Sequence, residues 1–537
     1  MDYRNPAECL SLLQSLQPEK VDETHALLST IIGTLLDALP APNQHFEVLE
    51  AARPTIARVQ AELGRRYADH PLPPDNEENA TLMRVVGLWH NLARSYTQIA
   101  RQDAQTGTLE DQRALLSQRR IHCTGQMLVE YFRAHRALPA GLWTEIHEGF
   151  AAAEATGLVR ARVSDPLNPL WKAQSAMEAY ISILLIELGN PFGRSGRELR
   201  WICRWAQRFA PYCSLEPDTE GRKPTVYGLD LGADHGLRPL GLLRKSAGVR
   251  GFDGSKLANQ IQAVFTQFKQ GVSPASLGLG DDCPLDTSAR LLVSLYRPWG
   301  LASAGRKFPR RGSDGKVDLC GDWLAIGFHI QGRLFEQPRS YGVSGSLNSD
   351  ISLLTFGERA PEANRTRERT AVQRQVDADR LGLVCERWTL LDQSVGGFRL
   401  QQRPHAERLE HHQLVGLRPR DGEYFLLGQV SWLMYRDDGM LEAGIHVLPG
   451  IPQVVAVRPL APHPGQREPY QQGFLIPANA AIKVDATLVL PSGWHHPNRV
   501  IELFDNGTTS QLRLTKLTIK GANFEQVSFE TLAPEGP

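Results

Sequence analysis

The sequence has no surplus of charge, no cysteines at metal-ligand spacing and no apolar run long enough for a bilayer, and each absence removes a class of function. Lysine plus arginine equals aspartate plus glutamate, 59 against 59. The chain therefore has no global positive field of the kind that sequence-independent DNA binding needs, and any anion site must be local. The seven cysteines, Cys9, Cys123, Cys203, Cys213, Cys283, Cys320 and Cys385, are scattered without a C-x-x-C pair and read as reduced thiols of a cytosolic protein. The opening "MDYRNPAECL" has acids where a signal peptide has a basic and then apolar stretch, and the longest apolar run, "YISILLIEL", is too short to span. The expectation is a cytoplasmic protein with no membrane insertion and no DNA partner.

Enzyme signatures are missing too. There is no G-x-x-x-x-G-K-[ST], no G-x-G-x-x-G between strand and helix, no H-E-x-x-H and no G-x-S-x-G. A hydrolytic centre in the "LGADHGL" to "LGLGDDC" region would need His235, Asp281 and Asp282 to converge, and nothing in their spacing says that they do. The pairs His411-His412 and His495-His496 would point to opposite faces of a strand and read as polar surface. The chain is expected not to be an enzyme and to hold no metal.

What is present is a change of period. Up to about residue 210 the apolar residues recur three and four apart, as in "HALLSTIIGTLLDAL" and "LMRVVGLWHNLARSYTQIA", which predicts a helical region, a bundle or a helical-repeat-like array suited to docking a protein partner. Residues 211–290 read as a mixed connecting region. From about 291 onward short runs such as "EYFLLGQVSWLMYR", "KVDATLVLP" and "LRLTKLTIKG" alternate between turn residues, which predicts small antiparallel β-barrel modules. The fold class is thus multidomain α+β. The expected boundaries are 1–210 helical, 211–290 connecting, 291–358 β-rich, 359–455 a β-barrel and 456–537 a C-terminal β-rich extension.

The stretch "ERAPEANRTRERTAVQRQVDADR" carries Arg359, Arg365, Arg367, Arg369, Arg374 and Arg380 with little apolar content. Such a run is usually a solvated linker. Arginine rather than lysine, however, suits a ligand with phosphates and guanines, because a guanidinium forks onto an anion or the O6/N7 edge and stacks flat on a purine. Arg365 and Arg369, four apart, can reach one anion. Downstream, "LLDQSVGGFRL" breaks a strand at Asp392-Gln393-Ser394-Val395-Gly396-Gly397, in which Asp and Ser bond their own backbone and glycine permits close approach. A Gly428-Gln-Val430-Ser-Trp432 strand follows.

Together, Arg365-x-x-x-Arg369, Asp392-x-Ser394-x-x-Gly397 and Gly428-x-Val430-x-Trp432 resemble the PilZ family of bacterial cyclic-di-GMP receptors, over about residues 360–455. The resemblance implies a small barrel whose arginine segment folds over a cyclic dinucleotide, with Arg365 and Arg369 on phosphates and guanine edges and Asp392, Ser394 and Gly397 lining the second wall. It implies a cyclic-di-GMP-binding signalling receptor coupled to a partner through its helical region. The alternative is an adaptor that uses a barrel without ligand as a docking surface. A fainter echo, Arg306-x-x-x-Arg310 followed by Asp318, Cys320 and Trp323, suggests a degenerate second PilZ-like module within 291–358, or a plain hairpin.

Overall fold

The computed structural model describes residues 2–301, 311–312, 314–338, 371–394, 396–403, 408–460, 468–478 and 484–532. The chain divides into two compact units, Met1–Lys307 with Met434–Gly439, and Phe308–Leu433 with Met440–Pro537.

The first unit opens with α1 (Pro6–Gln14), α2 (Val21–Ala38), α3 (Pro42–Gly64), α4 (Asn76–Thr106), α5 (Arg113–Arg133) and α6 (Leu142–Ala155). A two-stranded ribbon, β1 (Val163–Ser164) with β2 (Ala173–Gln174), leads to α7 (Ala176–Leu188) and α8 (Gly196–Phe209). Local signals set these ends. Asp75 and Glu78 form a capping box that starts α4, and Gly107 at φ +67° stops it. Ser175 with Glu178 and Ser195 with Glu198 do the same for the starts of α7 and α8.

Residues 211–290 are more than a connection. They supply β3 (Ser214–Glu216), β4 (Tyr227–Asp230), β5 (Arg238–Pro239) and β6 (Val249–Asp253), a four-stranded sheet, and then α9 (Ser255–Lys269). Leu257, Ile261 and Val264 of α9 join Leu92, Tyr96 and Leu184 in one core. The "LGLGDDC" loop is held rather than free, since Asp282 accepts from Trp201 Nε1 at 2.9 Å and pairs with Arg204 at 2.5 Å. His235 gives its Nδ1 to the Gly236 carbonyl at 2.8 Å, so it and Asp282 serve different local contacts. Among the described residues no group of three or more His, Cys, Asp or Glu is placed to hold a metal ion, and no helix is long and apolar enough to cross a membrane.

From 291 onward the expectation of β structure needs correcting. Leu285–Gly300 is a helix, α10, because Leu291, Leu292, Leu295 and Trp299 recur at helical spacing and all are buried. The second unit begins with β7 (Arg311–Gly312), β8 (Lys316–Cys320) and α11 (Trp323–Gln331), and continues with α12 (Ala371–Leu381), β9 (Glu386–Ser394), β10 (Gly397–Gln402), β11 (Leu414–Pro419), β12 (Leu426–Tyr435) and β13 (Leu441–Val447). The strands run in the order β10-β13-β12-β11-β8-β9, and β9 pairs back onto β10, which closes six strands into a ring with β7 appended to β9.

A division at 358/359 would therefore cut through one sheet, because β8 pairs with both β9 and β11. The supposed second PilZ-like module is a part of the same ring. Asp318 lies on β8 and pairs with Arg418 at 3.1 Å, Cys320 ends that strand, and Trp323 opens α11 behind the N-cap Asp322. Arg306 and Arg310 lie outside the described residues.

Beyond this ring, β14 (Gln453–Pro459), β15 (Gln471–Ile476), β16 (Thr487–Pro491), β17 (Val500–Asp505), β18 (Thr508–Lys520) and β19 (Phe524–Thr531) form a closed barrel in the order β14-β15-β16-β19-β18-β17. α11 joins the two rings of this unit. Trp323 packs on Phe474 at 5.0 Å between ring centroids, and its indole donates to the Gln472 carbonyl at 3.2 Å. Ala325 and Ile326 share a core with Leu414, Phe425, Ile476 and Phe524. The pair His411-His412 lies in a turn rather than in a strand. His412 has φ +64°, and the two rings stand 3.8 Å apart instead of on opposite faces.

Burial makes the helical unit sensitive to acid. His45 in α3 is fully buried, neither ring nitrogen has a partner among the described residues, and desolvation pushes its pKa down to about 4. The unfolded chain takes up this proton near pH 6.5, whereas the folded chain refuses it until pH falls to about 4. Stability is thus intact above 6.5 and declines through that window, by about 3 kcal/mol. A His45→Leu variant should flatten this decline when the helical melting transition of the full chain is followed from pH 7 to pH 4.

Candidate functional site

The hairpin of β9 and β10 carries the acidic turn. Ser394 faces Gly397, Gln393 faces Phe398 and Asp392 faces Arg399, but the next pair is Leu390 with Leu400. One residue, Leu391, is extra. Trp388 and Leu390 are buried, and simple alternation would continue inward to Asp392. The bulge breaks that alternation and sets Asp392 beside Arg399.

Across β10 the same rows continue onto β13, where Gly397 meets His446, Arg399 meets Gly444, and Gln401 meets Glu442. Leu400, Ala443 and Ile445 point to the other, apolar face and are buried. One face of the hairpin and its neighbour thus presents a carboxylate (Asp392), a hydroxyl (Ser394), a guanidinium (Arg399) and an imidazole (His446). The Ser394 hydroxyl donates to the Gly397 carbonyl at 3.4 Å, and His446 Nδ1 lies 3.1 Å from the Gly396 carbonyl.

Arg399, Glu442 and His446 were not singled out in the sequence. Arg399 Nε and Nη2 both donate to one oxygen of Glu442, at 3.1 and 2.7 Å, and Glu442 is only 2 % exposed. The remaining Nη1 lies 3.8 Å from Asp392. Glu442 therefore holds the guanidinium in place, and the guanidinium steadies Asp392. The available signal was the alternation of "LEAGIHV", which puts Glu442, Gly444 and His446 on one face opposite the row of Arg399.

The glycines of the motif do separate jobs. A Cβ on Gly397 would sit 2.1 Å from the Ile445 carbonyl oxygen, so only glycine lets β10 lie this close to β13. On Gly444 it would strike the Trp432 indole at 1.9 Å, and on Gly428 it would strike Ile445 and Leu417. Trp432 therefore covers the bare backbone of β13, and the Gly-x-Val-x-Trp strand belongs to the packing around the site. Val430 is fully buried.

Of the residues expected at the site, Asp392, Ser394 and Gly397 come together on this hairpin. Arg365 and Arg369, with Arg359 and Arg367, lie outside the described residues. Arg374 and Arg380 lie on α12 and are exposed. Chemically, the hairpin offers acceptors for N–H groups. On the row around Arg399 two carboxylates stand against one guanidinium, so it is not by itself a phosphate site. Gly397→Ala should cost about 1–3 kcal/mol from the clash with Ile445, whereas Gly396→Ala, with nothing within 4 Å of its Cβ, should stay within about 0.5 kcal/mol. Chemical denaturation of the two variants checks this contrast.

Two family models match the chain. Residues 7–219 match the family described as "Cyclic-di-GMP receptor FimW, N-terminal domain", and residues 455–532 match "FimW C-terminal beta-barrel domain". The second span falls on the closed barrel of β14 to β19. No solved structure matches the chain. A protein of Pseudomonas aeruginosa named "Cyclic-di-GMP receptor FimW" is 23% identical over 521 residues, covering 91% of this chain and 84% of its own length, so the likeness also runs through the six-stranded ring between the two matched spans.

Proposed function

We propose that this chain is a receptor for cyclic-di-GMP and carries out no bond-making step of its own. The likeness over nine-tenths of the chain to a protein named as such a receptor carries this reading. The chemistry of the hairpin supports it. The ligand has two guanines and two phosphodiester charges. Asp392 and Ser394 can accept from guanine N–H groups or bond a sugar hydroxyl, and Gly397 sets their hairpin closely against β13. The phosphates need cations that the Arg399 row does not spare, since its guanidinium is engaged by Glu442. Arg365 and Arg369 are the proposed source, because their spacing allows both to fork onto one ligand.

In this reading binding draws the arginine segment onto the hairpin, and the signal passes to a protein partner through the helical region. Calorimetric titration of the full chain with cyclic-di-GMP should show saturable binding. Arg365→Ala or Arg369→Ala should each weaken it by about one to two powers of ten, the double variant should abolish it, and Asp392→Ala should weaken it. No heat from the native protein would sink the receptor reading in favour of an adaptor. Unchanged affinity in the double variant would sink only the site assignment.

A further inference from the structure

The ladder between β8 and β9 pairs Lys316 with Thr389, Val317 with Trp388, Asp318 with Arg387 and Leu319 with Glu386. The next step along both chains sets Cys320 opposite Cys385. Directly opposed residues of an antiparallel pair point to the same face with Cβ atoms about 4.5–5.5 Å apart, close to the roughly 3.5–4.5 Å of a disulfide. Neither cysteine is in a disulfide; Cys320 belongs to the core cluster that joins the two rings, and Cys385 packs against it. On its other side Cys320 is the partner of Gly416, where a Cβ would stand 3.2 Å from its sulfur. Glycine there leaves the thiol room.

The two sulfurs differ in their surroundings. Cys320 is 1 % exposed and contacts the Gly416 carbonyl at 3.8 Å, whereas Cys385 is partly exposed. His329 of α11 reaches the same place, with Nε2 2.8 Å from the Leu383 carbonyl and its ring stacked on Phe425. A hydrogen bond from Cys320, and then the bond and charge of His329, hold the Cys385 thiol well below its usual range against the opposing effect of burial. Burial also opposes a charge on His329, but its bond to Cys385 raises its pKa.

We propose that Cys385 and Cys320 are a reversible redox pair that reacts with hydroperoxides, Cys385 being the sulfur attacked first and Cys320 the resolving thiol. The Cys385 sulfur attacks the peroxide. An S–O bond forms as the O–O bond breaks, the peroxide takes two electrons, its other oxygen leaves with the thiol proton as water or an alcohol, and a sulfenic acid results. Cys320 then attacks that sulfur. The S–S bond forms, the S–O bond breaks, and the Cys320 proton leaves with the hydroxide as water. A thiol reductant returns two electrons and restores both thiols. The bond would tie the end of β8 to the residues that connect α12 to β9. The inference stands apart from the ligand reading, since the thiols lie beyond the Glu386 end of β9 and Asp392 lies near its other end.

The test uses the full chain, reduced, freed of reductant and titrated with hydrogen peroxide. Peptide mapping without reductant should find Cys320 joined to Cys385, with two of the seven thiols lost and both recovered by dithiothreitol. At neutral pH Cys385 should react about tenfold faster than the other cysteines. Cys320→Ser should leave a sulfenic acid on Cys385 that dimedone traps in higher yield than in the native protein, and Cys385→Ser should lose both the cross-link and this label. A cross-link between other cysteines, or Cys385 reacting no faster than Cys203 and Cys213 in the native protein, would overturn the proposal without recourse to the variants.

Discussion

The pairing of β8 with β9 is the constraint on which the second unit is built. These strands are far apart in sequence, yet their register from Lys316↔Thr389 to Leu319↔Glu386 is unbroken, and β8 also pairs with β11 on its other edge. Without β8 the sheet would present two open edges, a state that buries less apolar surface and leaves ladder groups unpaired. Val317, Leu319 and Trp388 are all buried at this seam, so a slip of one residue would turn them outward. The register also fixes what lies at either end of β9. At one end Cys385 falls opposite Cys320, and at the other the bulge at Leu391 sets Asp392 beside Arg399.

The same ladder explains why α11 lies where it does. The chain leaves β8 at Cys320, is capped by Asp322, whose side chain accepts from the Ala325 amide at 2.8 Å, and enters a short helix that is apolar on nearly every side. Leu324 is its one large apolar side chain left exposed, and such a helix needs partners on most sides. It finds them in both rings: Ile326 packs beside Gly416, Trp323 on Phe474, and the backbone at Gly327 lies against Gln472, where a Cβ would stand 2.3 Å from the amide oxygen. The six-stranded ring and the C-terminal barrel are thus packed around one helix, and Phe425, Leu427, Phe474 and Val489 form a common core.

Much of this was legible in the sequence, and the failures have physical causes. The helical period before residue 210 and the alternation of β14 to β19 come from local patterning, and both elements formed where the pattern is strongest. The turn at Asp392 was legible because Ser394 and Gly397 are turn chemistry, and they are indeed direct partners. That β8 belongs to the same ring as β9 was not legible, because a strand of five residues pairing across a long insertion leaves no local trace. α10 was missed because its short run of leucines was read with the strands that follow. Arg399 and Glu442 escaped because a single charge in a strand gives no sign of its neighbour until register is known.

The insertion between β8 and β9 also bears on how a ligand signal could leave the hairpin. It begins with α11 and returns through α12, and His329 of α11 bonds the Leu383 carbonyl just after α12, so the two ends are fastened to each other. The cost of closing such a loop grows only slowly with its length, and fastening its ends removes much of it in advance. The residues bearing Arg365 and Arg369 lie within this fastened loop. On the proposed reading, energy gained when those arginines engage a ligand at Asp392 would act on α11, which fills the joint between the two rings, rather than be lost in a free tail. The hairpin is in turn held by the buried Glu442 and the close packing at Gly397, so the face that carries Asp392 and Ser394 is fixed from two sides.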